Sequence, residues 1–136
     1  MRGLAVGLPL LLIAVVASAP GSVRARVQGN PESAKIKNPV AATPESIAAG
    51  APLFRRHCAV CHGLKGDGGL GDDNNPPAPN LVDSEWRRGS SDGEIFSNIK
   101  DGVMPELYMG PWGDQIKDED IWNIVNYVRS LAKKQQ

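Results

Sequence analysis

The chain has 136 residues, enough for one folded domain and short of two. Fifteen basic side chains balance fifteen acidic ones, which argues against a nucleic-acid binder with a basic stripe and leaves no single-sign field to steer a partner. With 15 glycines, 11 prolines and only 5% aromatic residues, the core must be thin and the loops long, and small cores of that kind lean on a disulfide, a metal or another internal group.

Residues 1–25 read as an export signal. Arg2 precedes an apolar run from Leu4 to Val16, and small residues follow. Two cleavage sites compete: after Ala19, which would leave Pro20 at the new terminus, and after Ala25, which would not. The apolar run is interrupted by Pro9 and falls short of the roughly 20 residues a spanning helix needs, so no stable membrane insertion is expected after cleavage. The location expected is periplasmic or otherwise exported. Residues 26–42 contain Pro, Gly, Asn and Lys without apolar periodicity, which predicts a flexible leader.

The folded domain is expected over residues 43–136. Thr43-Pro44-Glu45 supplies an N-cap, a proline at the first helical position and an early acid, predicting a helix to about His57 with Ile47, Gly50, Leu53 and Phe54 inward. Gly63 to Pro79 is rich in glycine, Asp, Asn and proline and must be loop, and a loop of that length needs something to wrap around. Ser91-Asp92-Gly93-Glu94 is a capping box opening a short helix with Ile95, Phe96 and Ile99 inward, ended by Gly102. Val103 to Lys117 is irregular. Ile121, Ile124, Val125, Val128 and Leu131 recur at three- and four-residue steps and predict an amphipathic C-terminal helix to about Ala132. No strand pattern is present, so the fold class expected is all-α.

The chemistry lies in His57-Cys58-Ala59-Val60-Cys61-His62. Cysteines only three positions apart cannot close a long loop, and C-x-x-C-H reads as a c-type haem attachment site. Two thiols one helical turn apart can each add across a vinyl group of one porphyrin, while the adjacent His62 offers a ring nitrogen to the iron. A redox dithiol would want alternating strands and helices, which are missing, and a zinc site would want four ligands better spread than two Cys and two His in six residues. His57 sits beside a tethered cysteine and is read as a capping or solvent-facing residue rather than a second ligand.

With the signature, the loop and the two terminal helices in place, residues 43–132 resemble the class I cytochromes c. The likeness is to small bacterial monohaem cytochromes and to haem domains associated with quinoprotein dehydrogenases. The resemblance implies a cytochrome c fold, three to five helices around one haem c held covalently through Cys58 and Cys61. In that family a glycine and an aromatic precede the attachment site, matching Gly50 and Phe54, and the C-terminal helix crosses at the glycine, here near Ile124 and Tyr127. The family fixes its ligating histidine through a proline carbonyl in Gly-Pro-Asn-Leu. Ala78-Pro79-Asn80-Leu81 makes Pro79 the matching acceptor.

The family's sixth ligand is a methionine. Counting back from the last helix favours Met109, with Met104, in a Met-Pro pair, as runner-up. Trp86, with Arg87 and Arg88, is a candidate donor to the haem propionates. The sequence departs from the family at Met104 to Tyr108, where bulky residues replace small ones. It departs again at Lys117, where a Ser or Thr usually caps the last helix and Asp118 is expected to take over.

The function implied is one-electron transport by a monomer, not an enzyme, with redox partners such as a periplasmic dehydrogenase or a terminal oxidase. The alternative is a haem-based sensor or small-ligand binder with a labile methionine. A haem enzyme would need a distal acid or base, and His57 is badly placed for one.

Overall fold

The computed structural model describes residues 29–69, 71, 76–103 and 108–133. The export signal with both cleavage sites, Met104 and residues 134–136 lie outside the described residues. Among the described residues five helices follow one another: α1 (Pro31–Ala34), α2 (Pro44–His57), α3 (Ala59–His62), α4 (Asp92–Asp101) and α5 (Asp118–Lys133). Among the described residues there is no strand, and none of their helices is long and apolar enough to cross a membrane.

The helix ends form where local chemistry dictates. Thr43 accepts the Ser46 N–H, Pro44 opens α2 and Arg55, Arg56 and His57 occupy its last turn, opposite in sign to the helix dipole there. Cys58 separates α2 from α3, but its backbone stays right-handed helical and its N–H reaches the Phe54 carbonyl at 2.8 Å, so α3 continues the same direction. In α4 the expected capping box is present. Ser91 Oγ accepts the Glu94 N–H, and the Glu94 carboxylate accepts the Ser91 N–H at 3.0 Å. At α5 the cap differs from expectation. Asp118 is already helical, and it is the Lys117 carbonyl that accepts the Ile121 N–H. Asp118 instead pairs with Lys100 of α4 at 2.8 Å, while Asp118, Glu119 and Asp120 together offset the positive end of the dipole.

The core is the crossing of α2 and α5. Phe54 of α2 and Ile121, Ile124 and Val125 of α5 are fully buried. Ring contacts extend the packing: Phe54 meets Tyr127 at 5.4 Å, and Phe96 of α4 stacks on Trp122 at 4.0 Å. The buried face of α2 is Ser46, Gly50 and Phe54, and Cys58 continues it at the same four-residue step. Ile47, expected inward, is half-exposed, and Ser46 takes its place. The reason is a buried polar cluster, in which Ser46 Oγ donates to Asn123 Oδ1 at 2.6 Å and accepts from Asn126 Nδ2 at 2.8 Å.

The same cluster corrects the reading of residues 26–42 as a flexible leader. From Asn30 onward the segment is folded onto the domain. Asn30 caps α1, which packs on α4 and buries Ser33. Asn126 Nδ2 then donates to the carbonyls of Val40 and Ala41, and Asn126 Oδ1 accepts from Asn38 at 2.9 Å. An amide side chain on α5 thus straps the segment ahead of α2 across the helix crossing.

Candidate cofactor site

The long glycine loop returns on itself to bring Pro79 to His62. Gly68 N–H donates to the His62 carbonyl at 3.0 Å and Leu81 N–H to the Gly66 carbonyl at 2.8 Å, so residues 78–81 run beside the end of α3. His62 Nδ1 lies 3.1 Å from the Pro79 carbonyl oxygen. A carbonyl only accepts, so Nδ1 carries the proton and Nε2 keeps its lone pair. Burial lowers the His62 pKa, and the bond to Pro79 opposes that shift without reversing it. The side chain is therefore a buried neutral imidazole with one nitrogen fixed by an acceptor, the arrangement that sets tautomer and orientation in a metal-ligating histidine.

Cys58 is buried, Cys61 is exposed, and both are free thiols. Burial pushes the Cys58 thiol up to about 11, with a smaller contribution from Cys61.

His62, Cys58 and Pro79 share a cleft with Met109. The cleft is partly open to solvent and its walls are mostly apolar, as in small-molecule and cofactor sites. Phe54, Ile99, Ile124 and Val128 supply apolar lining from three helices, and Arg87, Arg88 and Asn98 add polar groups. Met109 is half-buried and packs against the core. His57 is not among the lining residues. Its ring instead meets Trp112 edge-on at 5.2 Å.

Trp86 lines the cleft, but its indole N–H is engaged by the Asp83 carbonyl at 3.2 Å and its ring lies under the Arg129 guanidinium. It offers the cleft a ring rather than the donor that sequence suggested. Asn98, whose amide donates to the Arg88 carbonyl at 3.2 Å, escaped sequence reading. A lone asparagine on a helix carries no signal of its own.

Residues 45–128 match the family described as cytochrome c oxidase, cbb3-type, subunit III. The chain belongs to that family. Among curated proteins, it is 34% identical over 95 residues to the cbb3-type cytochrome c oxidase subunit FixP of Sinorhizobium medicae, covering 65% of this chain and 31% of that one. It is 33% identical over 114 residues to the subunit CcoP of Rubrivivax gelatinosus, covering 80% and 35%. The chain thus spans about a third of the length of these relatives. Among solved structures, cytochrome cL of Methylophaga aminisulfidivorans superposes with a TM-score of 0.54 at 29% identity, covering 64% of this chain and 53% of that one. The reducing HAO-like protein complex of Kuenenia stuttgartiensis shares the fold, with a TM-score of 0.58 at 21% identity over 71% and 49% of the two chains. The domain is a class I c-type cytochrome with the all-α fold that the resemblance implied.

The residues present fit the haem c of such a domain. Two unpaired thiols flank one helical turn, a neutral imidazole has its outer nitrogen tied down, and an apolar cleft contains a thioether.

Proposed function

We propose that this domain is a periplasmic one-electron carrier. It holds a single haem c, joined covalently through Cys58 and Cys61, with His62 and Met109 as axial ligands. The observation that carries the reading is that Cys58, Met109 and a Pro79-bound His62 line one apolar cleft. When bound, the haem supplies a reversible one-electron couple, and Met/His ligation raises its reduction potential.

The remaining work belongs to the protein. Cys58 and Cys61 would hold the haem by adding their S–H groups across its two vinyl groups, an addition that needs no oxidant. Pro79 holds the His62 ring in the tautomer that presents Nε2. The walls from Phe54, Ile99, Ile124 and Val128 exclude water and disfavour extra charge at the metal. Arg87 and Arg88 stand at the cleft with guanidinium groups suited to carboxylates.

The partners proposed are a terminal oxidase, in keeping with the subunit names of the curated relatives, or a periplasmic dehydrogenase. The domain passes electrons and transforms no substrate. The residues up to Ala19 or up to Ala25 are proposed to be removed on export.

Expression of the full chain in a host that exports and matures c-type cytochromes tests this. The expected product is the processed polypeptide plus the mass of one haem, retained after acid–organic extraction. Haem that extracts, or a polypeptide mass alone in a host that matures a control cytochrome, overturns covalent attachment.

A further inference from the structure

The segment that carries Met109 is tied to α4 by two backbone bonds and to Val103, just past the end of α4, by a third. Val103 N–H donates to the Met109 carbonyl at 2.9 Å, Trp112 N–H to the Ile99 carbonyl at 3.0 Å and Gly113 N–H to the Lys100 carbonyl at 3.0 Å. The last two satisfy carbonyls at the C-terminal end of α4 that have no partner within the helix. At the turn between them Gly102 has a φ of 78°, and a side-chain carbon there would lie 2.9 Å from the Met109 carbonyl oxygen. These contacts fix Met109 relative to α4, but α4 does not carry the attachment cysteines. On the α2 side, the Trp112 indole meets His57, the residue immediately before Cys58, with ring centroids 5.2 Å apart and planes at 67°. Neither ring lines the cleft.

We infer that His57 and Trp112 are positioning residues that brace Met109, holding its segment against the end of α2 next to Cys58 and so keeping the thioether over the cleft. The inference rests on Met109 being the sixth ligand. His57 acts from outside the cleft, through the Trp112 ring and the backbone of Gly110 and Pro111 that joins it to Met109. Loosening the brace raises the fraction of molecules whose sixth position is open. The apparent affinity of a competing ligand rises in proportion to that fraction.

The test is imidazole titration of the ferric holoprotein, followed by loss of the long-wavelength sulfur-to-iron charge-transfer band. His57→Ala should tighten imidazole binding about two- to tenfold, the span that an edge-on aromatic pair supports. His57→Phe, which keeps a ring edge and discards the imidazole, should stay close to the parent. Far-UV circular dichroism of both variants should match the parent, which separates the brace from general unfolding. Equal imidazole affinity in parent and His57→Ala overturns the brace, and so does an equal rise in the Ala and Phe variants. A ferric parent protein lacking the charge-transfer band overturns Met109 ligation and the brace with it, and is told apart from failure of the brace alone, in which the parent shows the band.

Discussion

The backbone oxygen of Asn123 lies 2.1 Å from where a side-chain carbon on Gly50 would stand, so α2 and α5 touch backbone to backbone at that point. The contact lets Phe54, one turn further along α2, reach full burial against α5 and form part of the cleft wall. Helix crossing and cofactor site are one piece of packing. Gly50→Ala should therefore cost about 1–3 kcal/mol, the usual range for forcing extra carbon into a packed site, and more if the helices cannot separate. The midpoint of guanidinium unfolding of the holoprotein measures it. An unchanged midpoint would mean that the helices do not meet so closely.

The Asn126 strap gives a second expectation. Replacing Asn126 by Leu keeps the volume but removes partners from Ser46 Oγ, the Asn38 amide and the Val40 and Ala41 carbonyls. Buried polar groups left without partners cost about 1–3 kcal/mol each, less where water can reach them. The segment from Asn30 should then detach before the domain unfolds. Brief trypsin treatment should cut after exposed Lys35 and Lys37 faster in the variant than in the parent, with the haem spectrum preserved. Equal cutting rates would show that the strap is not held by Asn126.

These two sites mark where sequence reading works and where it stops. The Ser91–Glu94 capping box and the three- and four-residue rhythm of Ile121 to Leu131 are local patterns, and α4 and α5 formed on them. Cys58, His62 and Pro79 were legible because a short motif and a family tetrapeptide name them, and the structure brings them to one cleft with Met109. The strap was not legible, because its bonds join Asn126 to residues 80 or more positions away and run through amides, a hydroxyl and backbone carbonyls. Composition saw only an apolar-poor segment. For the same reason sequence places Ile47 inward where the structure buries Ser46, since apolar periodicity has no sign for a buried serine between two asparagines. The Trp86 N–H reads in sequence as a propionate donor because sequence cannot show that a carbonyl three residues earlier already holds it.

The choice between the two methionines has its own test. Met109→Ala should abolish the sulfur-to-iron band of the ferric protein and lower the reduction potential, since a thioether favours the reduced iron. Met104→Ala should leave both nearly unchanged. The opposite pattern would move the ligand to Met104 and leave Met109 as lining of the cleft.

The last expectation concerns how electrons leave. Val60, between the two cysteines, is 87% exposed, and Leu64, just past His62, is 69% exposed, so the attachment segment presents apolar side chains to solvent. Large apolar residues held outward next to a redox group suit a transient contact, and electron-transfer encounters typically bury less than about 1,200 Å². Removal of residues 1–25 would leave 13 basic against 15 acidic side chains, too even a balance for strong long-range steering. Arg55, Arg56 and Lys65 near the apolar pair are exposed and add only short-range attraction, screened within about 10 Å at 0.1 M salt. Val60→Ser with Leu64→Ser should slow electron exchange with the partner several-fold at every ionic strength while leaving spectrum and potential unchanged. The parent's rate should fall only mildly between low and physiological salt. A steep fall in the parent, with little effect of the double substitution, would put the docking energy in the three cations instead of the apolar pair.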